Sequence, residues 1–182
     1  MKKIDLNMEK MQELKVTLFK NPFPHLIIDN FYNDEELELI WEELTFYTKP
    51  GKLVEAKHYG GVVGSTSAKA LVLDAIYTNK SAKGGPNWRN ISNILTVNRK
   101  LFTSGVLDIF ADISDCCCTA NQSNYDTTKI RYYHDGDAYD PHTDKGFHFL
   151  AFSYFHKEPK KFNGGELYFP KYDYEFSCHN NS

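Results

Sequence analysis

The stretch KIRYYHDGDAYDPHTD, residues 129–144, decides which fold the sequence predicts. It contains His142 and Asp144, which one residue separates. Side chains at positions i and i+2 of an extended strand point to the same face, so this spacing presents an imidazole and a carboxylate together. Two histidines and one carboxylate on one face are the usual protein ligands of non-haem iron(II). The pair is therefore a candidate for two of three iron ligands, and a capped surface turn is the competing interpretation.

The composition sets limits on the class of protein. The chain has 182 residues, of which 41% are hydrophobic and 15% aromatic, and this suits one domain with a real core. Its formal net charge is −3, so there is no basic excess to favour nucleic acid or an anionic membrane as a partner. No apolar run approaches the roughly 18 residues of a membrane span, and we see no signal peptide. We expect a cytoplasmic protein.

The cysteines support the same compartment. They are Cys116, Cys117, Cys118 and Cys178. Three adjacent cysteines do not have the spacing of a zinc site, and they make a poor disulfide framework. The sequence therefore predicts free thiols in a reducing cytoplasm.

The first part of the chain, residues 1–127, has mainly helical patterns. A short strand over 22–31 precedes Asn33, which can cap a helix with Glu36 as its capping-box partner. The acidic residues of this helix are predicted to form its solvated face. Its core-facing stripe is predicted at Leu37, Ile40, Trp41 and Leu44. Helical spacing recurs over 88–110, and residues 48–90 predict a surface excursion with a short strand.

From residue 128 onward the pattern changes to that of strands. Runs of β-branched and aromatic residues are separated by Gly, Pro, Asn and Asp, which is typical of strands joined by turns. The runs lie at 128–136, 147–157 and 165–176. Helices followed by antiparallel strands indicate an α+β chain whose second half, 128–182, is a sheet, sandwich or barrel.

Together, these motifs resemble a known family. The resemblance is to the Fe(II)/2-oxoglutarate-dependent dioxygenases, in the prolyl 4-hydroxylase-like branch, whose pattern is Y-x-x-G-x-x-Y-x-x-H-x-D. A strand of the form S/Y-Y-L-N and a GGEL turn follow in that family, and PFPHLIIDNFYNDEEL at 22–37 resembles its first strand and helix. The matching residues are Tyr133, Gly136, Tyr139, His142 and Asp144, then Ser153, Tyr154 and Phe155, then Gly164, Gly165, Glu166 and Leu167.

The resemblance covers most of the chain and implies both a fold and an activity. The fold is a single domain over 1–182, with a double-stranded β-helix (jelly-roll) core and the N-terminal helices packed on it. The activity is hydroxylation of a C–H bond in a prolyl residue, another peptide residue or a small molecule, with release of succinate and CO₂. The implied cofactors are Fe(II) and 2-oxoglutarate, with ascorbate as an optional addition, and O₂ is the co-reactant.

The resemblance also implies roles for individual residues. His142 and Asp144 match two iron ligands. Tyr133 matches a tyrosine that contacts 2-oxoglutarate, with Tyr132 as the alternative if the register shifts by one. Ser153 matches the position where the next strand offers a hydroxyl to the cosubstrate, on the face that strand parity gives to Phe149 and Ala151.

Three further matching residues lie outside the ligand set. Tyr139 matches a position at the rim of the pocket, and packing against the strand is the competing interpretation. Gly164 and Gly165 are predicted to serve backbone geometry, because a tight turn needs positive φ.

The family's third iron ligand has no clear match. It is a second histidine on a strand well after the GGEL turn, followed by a basic residue that pairs with the distal carboxylate of 2-oxoglutarate. We expect both to lie beyond Ser182, so that the last strands are missing and this truncated chain is of doubtful activity. His179 is a minority candidate for the ligand.

Two other functions compete with the oxygenase. A jelly-roll or cupin-like binding protein, including an inactive truncated oxygenase, would bind a ligand without consuming 2-oxoglutarate. A zinc hydrolase built on His142 and Asp144 ranks lower, because the sequence lacks the usual helical histidine pair.

Overall fold

Helices and short antiparallel strands share the chain. The computed structural model describes residues 15–55, 69–72, 92–111, 127–144 and 149–182. Its α-helices are α1 (Asp34–Tyr47), α2 (Asn93–Val97) and α3 (Ser104–Ala111), and a 3₁₀ turn at Asn98–Phe102 joins the last two. Its strands are β1 (Lys15–Phe19), β2 (His25–Asp29), β3 (Val54–Glu55), β4 (Lys69–Val72), β5 (Lys129–Tyr132), β6 (Leu167–Phe169) and β7 (Tyr174–Phe176).

The chain divides into two compact units. The first comprises Met1–Asn33, Lys100–Ser123 and Asp144–Ser182. The second comprises Asp34–Arg99 and Asn124–Thr143. The prediction of a single domain over 1–182 stays a prediction.

In the first unit, two hairpins carry a cluster of aromatic rings. Strands β1 and β2 pair antiparallel with Phe19 opposite His25, and these two rings stack 4.6 Å apart. The predicted strand over 22–31 is confirmed as β2, whereas β1 was not predicted. The ring of Phe23 lies 4.8 Å from that of Phe169 and 4.9 Å from that of Tyr172. Aromatic surface buried in this way is a large part of the driving force for folding.

The predicted strand run at 165–176 is a hairpin. Strands β6 and β7 pair antiparallel, with Leu167 opposite Phe176. A 3₁₀ turn at Pro170–Tyr172 separates them, and Asp173 has a φ of 48°. Proline cannot donate to a sheet ladder, so the run divides there. Just before β6, Gly164 and Gly165 have φ values of 92° and 88°, which confirms their predicted role in backbone geometry.

The predicted strand at 147–157 is wrong for its described residues, 149–157, which belong to no strand. Tyr154 instead meets the end of the chain: its N–H donates to the Ser182 carbonyl at 3.3 Å, and its carbonyl accepts from Asn181 at 2.9 Å. Both bonds involve only Tyr154, and pairing at a single residue is too short to form a β-ladder. The side chain of Asn181 turns away from it, accepting from the Tyr32 N–H at 2.9 Å and donating to the Tyr32 carbonyl at 2.8 Å.

The second unit combines a sheet with two helices. Strands β3, β4 and β5 form a three-stranded antiparallel sheet in that order, in which Ala70 pairs with Arg131. Helices α1 and α2 pack against each other, and Ile40 and Leu95 are buried at 1% exposure each. This sheet positions the start of the motif, because β5 runs directly into it.

Helix α1 begins at Asp34, which agrees with the predicted cap at Asn33. The predicted core stripe and solvated acidic face are wrong in part. Ile40 is buried as expected, but so are Glu36 and Glu43. Glu43 is buried because its carboxylate accepts from the hydroxyl of Ser92 at 2.8 Å and from the N–H of Ile94 at 2.8 Å. These hydrogen bonds compensate the cost of removing the carboxylate from water.

Three further predictions concern a helix, the cysteines and a membrane span. The helical prediction over 88–110 is confirmed from Asn93 onward, and residues 88–91 lie outside the described residues. Cys178 is a buried free thiol, as predicted, whereas residues 116–118 lie outside the described part of the chain. Within the described ranges, no helix is long and apolar enough to cross a membrane.

The strand order of the sheets can be compared with the predicted jelly-roll barrel. The described residues form one three-stranded and two two-stranded sheets, and none of these closes into a barrel. Residues 56–68, 73–91, 112–126 and 145–148 lie outside the described residues. The jelly-roll core therefore stays a prediction.

Candidate functional site

The motif begins at the end of β5 with a tight turn. The N–H of Asp137 donates to the carbonyl of His134 at 3.0 Å, and Gly136 has a φ of 78°. Residues with a Cβ rarely adopt that conformation, so the glycine of the motif is explained by the turn. The Asp137 carboxylate closes the turn by accepting from the His134 N–H at 2.7 Å. The turn redirects the chain from the sheet toward Tyr139 and His142.

His142 has a defined ring orientation. Its Nδ1 lies 2.8 Å from the carbonyl oxygen of Asp140. A carbonyl only accepts, so Nδ1 carries the proton and the lone pair lies on Nε2. The ring of Tyr139 meets that of His142 edge to face, with their centroids 4.3 Å apart. Metal-binding histidines are usually held in this way, with one ring nitrogen donating to a carbonyl and the other facing the metal.

Asp144 is exposed, and it belongs to the first compact unit, whereas His142 belongs to the second. The interpretation that places both on one strand is wrong, because residues 137–144 lie outside every strand. That their side chains meet at one metal stays a prediction.

Arg131 joins the two tyrosines of the motif. Its guanidinium carbon lies 4.1 Å from the centroid of the Tyr139 ring, and its charge is close enough to Tyr133 to lower the pKa of that phenol. Its Nη1 is buried and has no hydrogen-bond partner within the described part of the chain. Sequence reasoning missed Arg131. The signal that could have found it is its spacing of two from Tyr133 on a strand.

The hydroxyl of Tyr133 has a raised pKa. Burial raises the pKa of Tyr133 above its ordinary value, and this outweighs the lowering by Arg131. The side chain is still 41% exposed, so the phenol is accessible. At neutral pH it is therefore protonated and able to donate a hydrogen bond.

Ser153 lies in the first unit, and its predicted strand is absent from residues 149–157. Its hydroxyl lies 3.4 Å from that of Tyr32, and the side chain is exposed. The predicted face shared with Phe149 and Ala151 is wrong, because strand parity does not apply to a segment outside a sheet. A role for Ser153 in cosubstrate binding stays a prediction.

His179 is exposed and belongs to a turn, with its N–H donating to the Ser177 carbonyl at 3.1 Å. Among the described residues, no three His, Cys, Asp or Glu side chains come together as a metal site. A second ligand histidine is thus not identified among them.

The residues present fit the implied groups in part. The tautomer of His142 fits a metal at Nε2, and exposed Asp144 offers a hard oxygen ligand. Tyr133 and Arg131 offer hydrogen-bond donors of the kind that a carboxylate accepts. The donors for 2-oxoglutarate are therefore better defined than the complete ligand set for iron.

Comparisons with known proteins found no match to this chain. No family model matches the chain, and neither a curated protein nor a solved structure matches it.

Proposed function

We propose that the protein is an Fe(II)- and 2-oxoglutarate-dependent oxygenase that hydroxylates a C–H bond. The observation that carries the proposal is the hydrogen bond from Nδ1 of His142 to the carbonyl of Asp140, 2.8 Å long. It leaves Nε2 as the atom with the lone pair, which is the tautomer that a metal ligand bound through Nε2 needs. The motif around His142 supports the same assignment.

Each residue has a role in this proposal. Nε2 of His142 would hold the metal, and the hydroxyl of Tyr133 would contact the cosubstrate. The roles of Asp144 as a metal ligand and of Ser153 as a cosubstrate contact rest on the sequence resemblance alone. Tyr139 forms the rim of the pocket and fixes the His142 ring. When bound, iron(II) and 2-oxoglutarate supply the oxidising chemistry, with release of succinate and CO₂. The third ligand, a second histidine, stays a prediction.

The substrate class follows from the same resemblance. A prolyl residue or another residue of a peptide is the proposed substrate, with a small molecule as the alternative. The location proposed is the cytoplasm, where reducing conditions maintain iron as Fe(II). The buried free thiol of Cys178 supports that compartment.

A non-catalytic jelly-roll or cupin-like binding protein is the second candidate. Such a protein would bind a carboxylate ligand at Tyr133 without consuming it.

The deciding experiment is anaerobic. Iron(II) and then 2-oxoglutarate are added to the whole chain, and the visible metal-to-ligand charge-transfer band is recorded. We expect the band in the wild type, with a water molecule in place of the third protein ligand, and its loss in His142→Ala and Asp144→Ala. His134→Ala is the matched control, because His134 lies in the same unit and hydrogen-bonds within its own turn.

The outcomes separate the two candidates. A band that depends on His142 and Asp144 supports the oxygenase, and substrate-free turnover of 2-oxoglutarate to succinate would then be measured in air. Folded wild type that binds 2-oxoglutarate without a band contradicts the oxygenase and leaves the binding protein. His179→Ala is expected to leave the band unchanged if His179 belongs only to the turn.

A further inference from the structure

We infer that Arg131 anchors a carboxylate and, with the hydroxyl of Tyr133, holds the distal carboxylate of 2-oxoglutarate. The inference deepens the proposed function and rests on it for the identity of the ligand. The assignment gives the chain a basic anchor on β5, upstream of the metal motif. The family resemblance, by contrast, places its basic residue far downstream.

The first argument is that one nitrogen of the Arg131 guanidinium lacks a hydrogen-bond acceptor. Nη1 of Arg131 is buried and lacks a hydrogen-bond partner among the described residues. A buried donor without an acceptor is costly, and more so when it carries charge. The Asp137 carboxylate, which accepts from the N–H of His134, is not a hydrogen-bond partner of Nη1. An anionic ligand would satisfy Nη1.

The second argument is the geometry of donors. Arg131 lies close enough to the Tyr133 hydroxyl for its charge to lower the pKa of that phenol, although burial outweighs this effect. A guanidinium has only donors, so it does not accept the phenolic proton. The phenol is protonated at neutral pH, so its hydroxyl is a second donor beside Nη1. Two adjacent donors, one of them charged, suit the two oxygens of a carboxylate.

The third argument is rigidity. The guanidinium of Arg131 lies on the face of Tyr139, and its backbone is paired with Ala70 in the sheet. Ala70 itself is 3% exposed, so this part of the sheet is well packed. A group held at both its backbone and its charged end loses little freedom when a ligand binds, which favours affinity.

The test measures binding without iron, so that it does not depend on catalysis. Metal-free protein is titrated by calorimetry with 2-oxoglutarate, glutarate, 2-oxobutyrate and inorganic phosphate. Glutarate retains both carboxylates but not the keto group, whereas 2-oxobutyrate lacks the distal carboxylate. We expect the wild type to bind 2-oxoglutarate and glutarate and to discriminate against 2-oxobutyrate.

The variants are Arg131→Gln, Arg131→Lys and Lys129→Gln. Arg131→Gln should weaken glutarate binding about 10- to 100-fold, the effect of losing a charged hydrogen bond. Arg131→Lys retains the charge without the planar fork and should lose less. Lys129→Gln is the control, since Lys129 is exposed on the same strand with the same parity. Thermal unfolding of each variant checks that it is folded.

The inference and the proposed function fail separately. Equal glutarate affinity in folded Arg131→Gln and wild type would overturn the anchor, whether or not the charge-transfer band forms. Tighter binding of phosphate than of glutarate would also overturn it. Arg131-dependent glutarate binding without a charge-transfer band would retain the anchor and contradict the oxygenase.

Discussion

The guanidinium carbon of Arg131 lies 4.1 Å from the centre of the Tyr139 ring, so a strand cation stacks on an aromatic residue of the metal motif. Tyr139 also contacts His142, whose ring centroid is 4.3 Å from that of Tyr139. Tyr139 thus connects the proposed carboxylate anchor to the proposed metal ligand. These contacts agree with the interpretation of Tyr139 as a packing residue, and its place at a pocket rim stays a prediction.

Tyr139→Leu should weaken carboxylate binding, because the guanidinium loses the ring that orients it. Partly buried cation–π contacts contribute about 0.5 to 2 kcal/mol, which corresponds to a roughly 2- to 30-fold loss of glutarate affinity. Tyr139→Phe retains the ring and is the matched control. Calorimetry on metal-free protein measures both. Equal losses in the two variants would mean that the hydroxyl of Tyr139, rather than its ring, holds Arg131.

The phenol of Tyr133 should ionise above the ordinary tyrosine pKa of about 10, because burial raises the pKa of Tyr133. Arg131→Gln should raise it further, since Arg131 lowers it. Phenolate absorbance of wild type minus that of Tyr133→Phe isolates this group. A difference midpoint below that of free tyrosine would contradict the arrangement.

The same pKa shift predicts the pH dependence of stability. A raised folded-state pKa means that the stabilisation is complete below the unfolded pKa of about 10 and is lost as pH rises through the folded value. We therefore expect the free energy of unfolding to fall above that pH more steeply in the wild type than in Tyr133→Phe. Urea unfolding across this range measures it, and parallel curves would count against burial of the hydroxyl.

Glu43→Gln should destabilise the second unit. The buried carboxylate accepts from the Ser92 hydroxyl and from the Ile94 N–H, whereas glutamine retains one acceptor oxygen and replaces the other with a nitrogen that cannot accept. Loss of one buried acceptor costs about 1 to 3 kcal/mol. Glu42→Gln, at the exposed neighbouring position of α1, is the control. Denaturant unfolding of both variants tests this, and equal stabilities would show that Glu43 contributes no net stabilisation.

Asn181→Ala should destabilise the first unit by about 1 to 3 kcal/mol, because both backbone groups of Tyr32 lose a partner. Asn181 is buried, whereas Asn163 is exposed, so Asn163→Ala is the matched control. Asn181→Asp retains the acceptor but sets a buried carboxylate oxygen against the Tyr32 carbonyl, so it should destabilise at least as much as Asn181→Ala. A wild-type melting temperature in Asn181→Ala would mean that water replaces the amide without cost.

Some features could be predicted from the sequence because their causes are local. The start of α1 directly after Asn33 agrees with the cap that the local sequence predicts. The positive φ values of Gly164 and Gly165 follow from what a tight turn demands of the backbone. The short strand β2 and the turn around Gly136 are local in the same sense.

The candidate site was predicted only in part. Spacing alone pointed to His142, and the structure adds the carbonyl that orients its ring. The same spacing rule placed His142 and Asp144 on a strand that does not form. Arg131 was missed because an arginine on a half-exposed strand has no distinctive pattern. Its buried Nη1 appears only when the strand is paired and Tyr139 lies against it.

By itself, the sequence determined the local elements and the chemistry carried by residues 129–144. Only the tertiary structure decided which polar groups are buried and with what partners. Glu43 is buried because Ser92, 49 residues further along the chain, supplies its donor. Asn181 pairs with Tyr32 across 149 residues, and the segment around Tyr154 meets the chain end instead of a ladder. Such contacts depend on which distant segments fold together, and a residue's burial follows from that choice rather than from its neighbours in sequence.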